Sequence, residues 1–230
     1  MTGRRGLLFD LDGTLIDSTA DIASAANRTL RELGHAERPE AEIRSFIGDG
    51  VAKLIERCTD ADTTVDLDAA VDRFSEHYAA GFLDQTGFFP GIADLLASLP
   101  PPLGILSNKP EAYCVQILRG LGVADRFGLI AGGDTYPESK PSPVPLRAAC
   151  AALDVDPASS LFVGDGHQDM RAARAAGLTA IGVTWGQATR EVLEESGADV
   201  VVDDVAQLAA ALRRHPNASP SRERGPPGPL

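Results

Sequence analysis

Phe9-Asp10-Leu11-Asp12-Gly13-Thr14-Leu15 continues the apolar pair Leu7-Leu8, so that a short hydrophobic run is cut by an aspartate and ends in a glycine turn. An apolar segment that breaks into acidic residues and glycine reads as the carboxyl end of a buried parallel strand. The pattern recurs downstream. Residues 103–107 run into Asn108-Lys109-Pro110, residues 127–131 into Gly132-Gly133-Asp134, and residues 161–163 into Gly164-Asp165-Gly166. Residues 180–183 and 199–202 read as two more strands. Helical stretches at 111–120, 144–153, 169–177, 191–195 and 205–214 lie between them, with Gly177 placed as a C-terminal cap. Strands alternating with helices predict an α/β fold built on a doubly wound, mainly parallel sheet, which takes its ligands beyond the carboxyl ends of the strands.

Residues 18–85 break this alternation and read as helices alone, at 18–33, 40–47, 51–58 and 67–82. In the last of these Leu67, Val71, Phe74 and Tyr78 share one face, a pattern of packing against neighbouring helices. The expected organisation is a Rossmann-like core over 1–17 and 86–214, an inserted all-helical cap over 18–85, and a tail over 215–230. The tail, with five prolines and two glycines, has too few apolar side chains to offset the entropy of ordering.

Over 230 residues, 21 basic against 33 acidic side chains give a net charge of 21 − 33 = −12. Nucleic acids and anionic membranes need a basic face, so neither is an expected partner. No run of about 18 apolar residues predicts a membrane span, and the few apolar residues between Arg5 and Asp10 are too few for a signal peptide. Cys58, Cys114 and Cys150 are far apart and odd in number, as expected of reduced thiols in a cytoplasmic protein.

Asp10 and Asp12, two positions apart beyond a strand, can converge on a hard divalent cation or divide nucleophilic and proton-transfer roles. A bare pair of this kind reads more readily as solvated or capping aspartates. Distant pieces add to it. Asp165 and Asp169 stand four apart after another strand, Ser107-Asn108 offers a hydroxyl and an amide after a third, and Lys140 brings a positive charge beside Pro141. Carboxylates, a hydroxyl and an ammonium at four strand ends suit metal-assisted phosphoryl transfer, in which positioning and charge neutralisation do most of the work.

In this order and spacing, DxDGT at 10–14, Ser107-Asn108, Lys140-Pro141 and the GDxxxD run at 164–169 resemble the haloacid dehalogenase superfamily, and specifically its phosphatases with a helical cap. The resemblance covers residues 6–214. It implies Asp10 as a nucleophile that forms an aspartyl-phosphate and Asp12 as the acid and base, with a carbonyl toward Mg²⁺. It further implies Ser107, Asn108 and Thr14 around the phosphoryl group, Lys140 as its charge balance, and Asp165 and Asp169 as metal residues. Asp12 favours a phosphate ester, since the dehalogenases lack a second aspartate there. Phosphomutases related to β-phosphoglucomutase carry a histidine ten residues after the acid, where this chain has Ile22. The segment 43–51 resembles the cap loop of phosphoglycolate phosphatases. There Gly48 would enter the site, and Arg44 and Lys53 would either meet a second anionic group or stand as solvated helix charges. Thr184-Trp185-Gly186 resembles that branch too, while His167 departs from the commoner residues inside GDxxxD.

The expected activity is Mg²⁺-dependent hydrolysis of a small phosphorylated metabolite by a monomer or homodimer. Hydrolysis of a sugar phosphate, nucleotide or pyrophosphate, phosphomutase activity, and non-catalytic phosphate binding remain as alternatives. The cap holds 14 acidic and 7 basic residues. Four aspartates and Lys140 sum to −3 at the expected site, which one Mg²⁺ would bring to −1.

Overall fold

Leu7, Leu8 and Phe9 are all buried, and alternate residues point to opposite sides, as a strand covered on both faces requires. The structure, a computed structural model, describes residues 4–214, and the tail expected at 215–230 lies outside them. The elements follow in the order β1 (Leu7–Phe9), β2 (Ile16–Asp17), α1 (Thr19–Glu32), α2 (Glu40–Phe46), α3 (Val51–Cys58), α4 (Leu67–Ala79), β3 (Gly87–Phe88) and α5 (Ile92–Ser98). After these come β4 (Leu103–Leu106), α6 (Glu111–Gly120), β5 (Leu129–Ala131), α7 (Val144–Ala152), β6 (Leu161–Gly164), α8 (His167–Ala176), β7 (Thr179–Val183), α9 (Arg190–Glu195), β8 (Val200–Val202) and α10 (Val205–Arg214).

Six strands form one parallel sheet in the order β5-β4-β1-β6-β7-β8, with Phe9 level with Ile105 on one side and Val163 on the other. Counting only these six, the order is 3-2-1-4-5-6, the doubly wound Rossmann-like arrangement. Its connections reverse direction between β1 and β6, and a crevice opens at that point. Leu7, Phe9, Ile105, Val163 and Ile181 pack under α5, α6 and α10, while Leu8, Leu106, Phe162 and Ala180 pack under α7, α8 and α9.

The four helices α1–α4 enclose a hydrophobic cluster of their own, including Leu30, Ile43, Ile55, Ala70 and Phe74. The chain enters and leaves this block through an antiparallel ribbon pairing Ile16 with Phe88 and Asp17 with Gly87. Asp21, buried in the first turn of α1, accepts from the N–H groups of Gln85 and Thr86 and from the Thr86 hydroxyl. The two crossings are thereby tied together. The ribbon and α5 have no counterpart in the sequence reading. Two-residue strands are too short to show a period. α4 stops at Ala79, short of the expected 82, and α8 begins at His167, two residues before the expected start.

Candidate active site

The candidate site residues gather at the carboxyl ends of β1, β4 and β6. Asp10 extends β1, its N–H donating to the Val163 carbonyl at 2.8 Å. The chain then turns sharply, with Leu15 and Ile16 donating to the Leu11 carbonyl. Gly13 makes the turn possible. Its φ is +79°, and a Cβ there would lie 2.2 Å from Asp165 Oδ2. Beyond β6, Asp165 accepts from the Thr14 hydroxyl at 3.0 Å and from the Gln187 N–H at 2.9 Å. Asp169, in the first turn of α8, accepts from the Gly166 N–H at 3.0 Å.

Asp10, Asp165 and Asp169 are buried, and each offers a carboxylate oxygen within 4.8 Å of the others. The Lys140 ammonium pairs with Asp10 Oδ1 at 2.8 Å and Asp169 Oδ1 at 2.7 Å. Three like charges taken out of water destabilise their ionised forms. Burial first, opposed by Lys140 and reinforced by Asp169, pushes the Asp10 carboxyl up to about 7. Asp165 is raised well above the usual carboxylate range, by burial and then by Asp10 and Asp169. A hard cation ligated by oxygen fits this donor set and relieves its repulsion.

The carboxylate of Asp12 stands apart from that cluster. Its Oδ1 accepts from the Ser18 hydroxyl and pairs with the Lys109 ammonium at 2.6 Å. Lys109 is buried and donates to the Tyr78 hydroxyl at 2.8 Å. Burial would discharge Lys109, but Asp12 and Tyr78 outweigh it and hold the ammonium charged. The Asn108 amide donates to the Gly48 and Lys140 carbonyls, each at 2.9 Å, and accepts from the Lys140 N–H at 3.0 Å. One side chain thus binds the cap loop to the Lys140 loop.

A cavity between core and helical block is lined by Asp10, Asp12, Ser107, Asn108 and Lys109 below and by Gly48, Val51, Leu54, Phe74 and Tyr78 above. The structure therefore brings Asp10, Asp12, Ser107, Asn108 and Gly48 together at one space, with Lys140, Asp165 and Asp169 buried directly behind. Thr14, expected near the phosphoryl group, is fully buried and holds Asp165 instead. Arg44 and Lys53 do not line the cavity. Arg44 pairs with Asp17 at 3.4 Å, and Lys53 pairs with Glu56 one turn along the exposed face of α3, whose inner face presents Val51 and Leu54. Trp185 lies outside the cavity too; its indole N–H donates to the Thr14 carbonyl at 3.1 Å and steadies the β1 turn. His167 does not reach the lining either.

Lys109, Ser18 and Tyr78 were not singled out by sequence as site residues. The one signal for Lys109 was its place in the strand-end loop beside Ser107-Asn108. Its inclusion alters the charge of the site: four aspartates and two lysines sum to −2, which one divalent cation brings to zero.

Comparison with known proteins agrees with this geometry. The sequence matches the model of the haloacid dehalogenase-like hydrolases over residues 7–183. It is 40% identical over 216 residues to phosphoglycolate phosphatase of Chromobacterium violaceum, covering 89% of this chain and 94% of that one. It is 37% identical over 216 residues to phosphoglycolate phosphatase of Rhodospirillum rubrum, covering 89% of each. Among solved structures, a predicted phosphoglycolate phosphatase from Haemophilus somnus superimposes with a TM-score of 0.85 at 27% identity, covering 92% of this chain and 99% of that one. With its motifs at the strand ends and its carboxylates at the switch point of the sheet, the chain belongs to the haloacid dehalogenase-like hydrolase family.

Proposed function

We propose that this hydrolase is a cytoplasmic, Mg²⁺-dependent phosphatase that cleaves a small monoester of the phosphoglycolate type through an aspartyl-phosphate on Asp10. The observation that carries this reading is the division of the carboxylates. Asp10, Asp165 and Asp169 converge, while Asp12 is held separately with a cation of its own at the same cavity. An alkoxide leaving group needs a proton donor, and a separate carboxyl beside the nucleophile supplies one.

A carboxylate oxygen of Asp10 bonds to phosphorus as the bond to the ester oxygen breaks. The bonding pair stays on that oxygen, which takes the proton of Asp12, and the alcohol leaves. Asp12, now a carboxylate, takes a proton from water as the water oxygen bonds to phosphorus. The Asp10–phosphorus bond then breaks, releasing inorganic phosphate and restoring both aspartates. Lys140 offsets negative charge on Asp10 throughout. Ser107 accepts from the Lys109 N–H at 3.3 Å, which leaves its own proton for a phosphoryl oxygen. Asp10, Asp165 and Asp169 would hold Mg²⁺, which when bound supplies the charge that keeps Asp10 ionised and balances the phosphoryl oxygens.

The curated relatives named above favour phosphoglycolate. Ile22 in the cavity wall speaks against a phosphomutase, which would carry histidine there. The test is phosphate release from phosphoglycolate and a panel of other phosphorylated metabolites, with Mg²⁺ and with chelator. Activity should require the metal, and Asp10→Asn should abolish it while leaving the far-ultraviolet circular dichroism unchanged. Full activity in Asp10→Asn would refute the assignment of the nucleophile.

A further inference from the structure

The hydrogen bonds and ion pair of the Asp12 carboxylate all fall on Oδ1, which receives Ser18 and Lys109, and Oδ2 has no partner among the described residues although Asp12 lines the cavity. Both anchors are themselves fixed. Ser18 is buried at the start of α1. The Lys109 carbonyl accepts from the Gly133 N–H at 2.9 Å, and its ammonium stands 5.0 Å from the centre of the Tyr78 ring as well as donating to the phenol oxygen. Tyr78 comes from the last helix of the inserted block, where it stacks on Phe74 and meets the edge of Tyr113 in the core helix α6. The side chains that hold Asp12 therefore come from both sides of the cavity, and the contact that completes them exists only with the helical block seated on the core.

We propose that Lys109 is a positioning residue that fixes Asp12 through Oδ1, so that Oδ2 is the oxygen that gives and takes the proton, and that Tyr78 sets Lys109 only when the cap is closed. This rests on the phosphatase reading. A carboxyl free to rotate presents either oxygen, and at the wrong angle, whereas one pinned through Oδ1 presents a single oxygen to the ester. Without Lys109 the proton is delivered inefficiently. Leaving groups that are poor without protonation suffer, and those that leave readily as anions do not.

The experiment compares kcat/KM, which reports the steps up to departure of the alcohol, for three esters. These are phosphoglycolate, an uncharged alkyl phosphate, and 4-nitrophenyl phosphate, whose phenol leaves as an anion. In Lys109→Met the two alkyl esters should lose about 10²–10³-fold, the range of a displaced general acid, and the aryl ester less than about tenfold. Tyr78→Phe removes one oxygen with little change in packing, and it stands in should Lys109→Met fail to fold. It should show the same ordering with a loss of about three- to tenfold on the alkyl esters. An equal loss on all three esters would overturn the proposal in favour of a general structural role. A loss confined to phosphoglycolate would overturn it in favour of Lys109 as the anchor of the substrate carboxylate. If the wild-type protein hydrolyses none of the three, the phosphatase reading itself fails, an outcome separate from either.

Discussion

The repulsion among Asp10, Asp165 and Asp169 makes a prediction about stability that needs no substrate. Burial raises the Asp10 carboxyl from its ordinary 3.8 to about 7, even with Lys140 opposing. Between those values the folded protein binds more protons at this group than the unfolded chain does, so its contribution to stability falls as pH rises. The contribution is fully present below 3.8 and is lost as pH rises through about 7. At about 1.4 kcal/mol per pH unit of displacement, the whole span is worth about 4 kcal/mol. The perturbation is Asp10→Asn, which removes the titration and keeps the shape. Urea unfolding of wild type and variant, with metal chelated, would be followed from pH 4 to pH 8. Relative to the variant, the wild type should lose roughly 3–4 kcal/mol across that range. The subtraction removes the carboxylates remote from the site, while Asp165, raised in part by Asp10 itself, is raised less in the variant and so adds to the difference in the same direction. Millimolar Mg²⁺ should shrink the difference at pH 7–8, because the ion favours the charged form that burial penalises. A wild type that gains stability against the variant as pH rises would refute the electrostatic account. So would a difference that Mg²⁺ leaves unchanged.

Two further predictions concern the scaffold of the site. Gly186→Ala places a Cβ 2.2 Å from Asp165 Oδ2, so the carboxylate must move. The Mg²⁺ concentration for half-maximal activity should rise about 10–100-fold, as when other supports of a metal residue are disturbed, with titration calorimetry as the check. Asp21→Ala strips the acceptor from two backbone N–H groups and the Thr86 hydroxyl at the crossing into the cap. Unfolding free energy should fall by about 3 kcal/mol, measured in urea, and a change under about 0.5 kcal/mol would show those donors to be satisfied by water.

Most of the elements were legible because their signals are short-range. The run at 7–11 and its recurrences mark strands by hydrophobicity and terminal glycines, and α3, α6 and α10 begin and end where the residues indicate. The ribbon escaped notice because strands of two residues show no period. The four strand-end motifs could be assigned to one site because a doubly wound sheet presents the carboxyl ends of its strands on one edge. Arg44 and Lys53 could not be judged in the same way. A cap helix has a face toward the cavity and a face toward solvent, and the rotations of α2 and α3 about their axes are settled by how Ile43, Leu54 and Ile55 pack. Tyr78 illustrates the same limit. Its spacing on α4 marks a packing face, and it does pack, yet its hydroxyl also reaches Lys109.

By itself the sequence determined the six strands of the main sheet, the helical block that follows the first of them, and the places of Asp10, Asp12, Ser107 and Asp165 just beyond strand ends, with Lys140 and Asp169 in the loop and helix that follow. Propensity and periodicity act over a few residues, so these follow from local chemistry. Only the tertiary structure decided which charges meet. Lys109 lies 97 residues from Asp12 in the chain and 2.6 Å from it in space. That contact turns a site counted at −3 into one at −2, which a single divalent cation neutralises. Coulomb interactions depend on distance and on exclusion of water, and both are properties of the packed molecule.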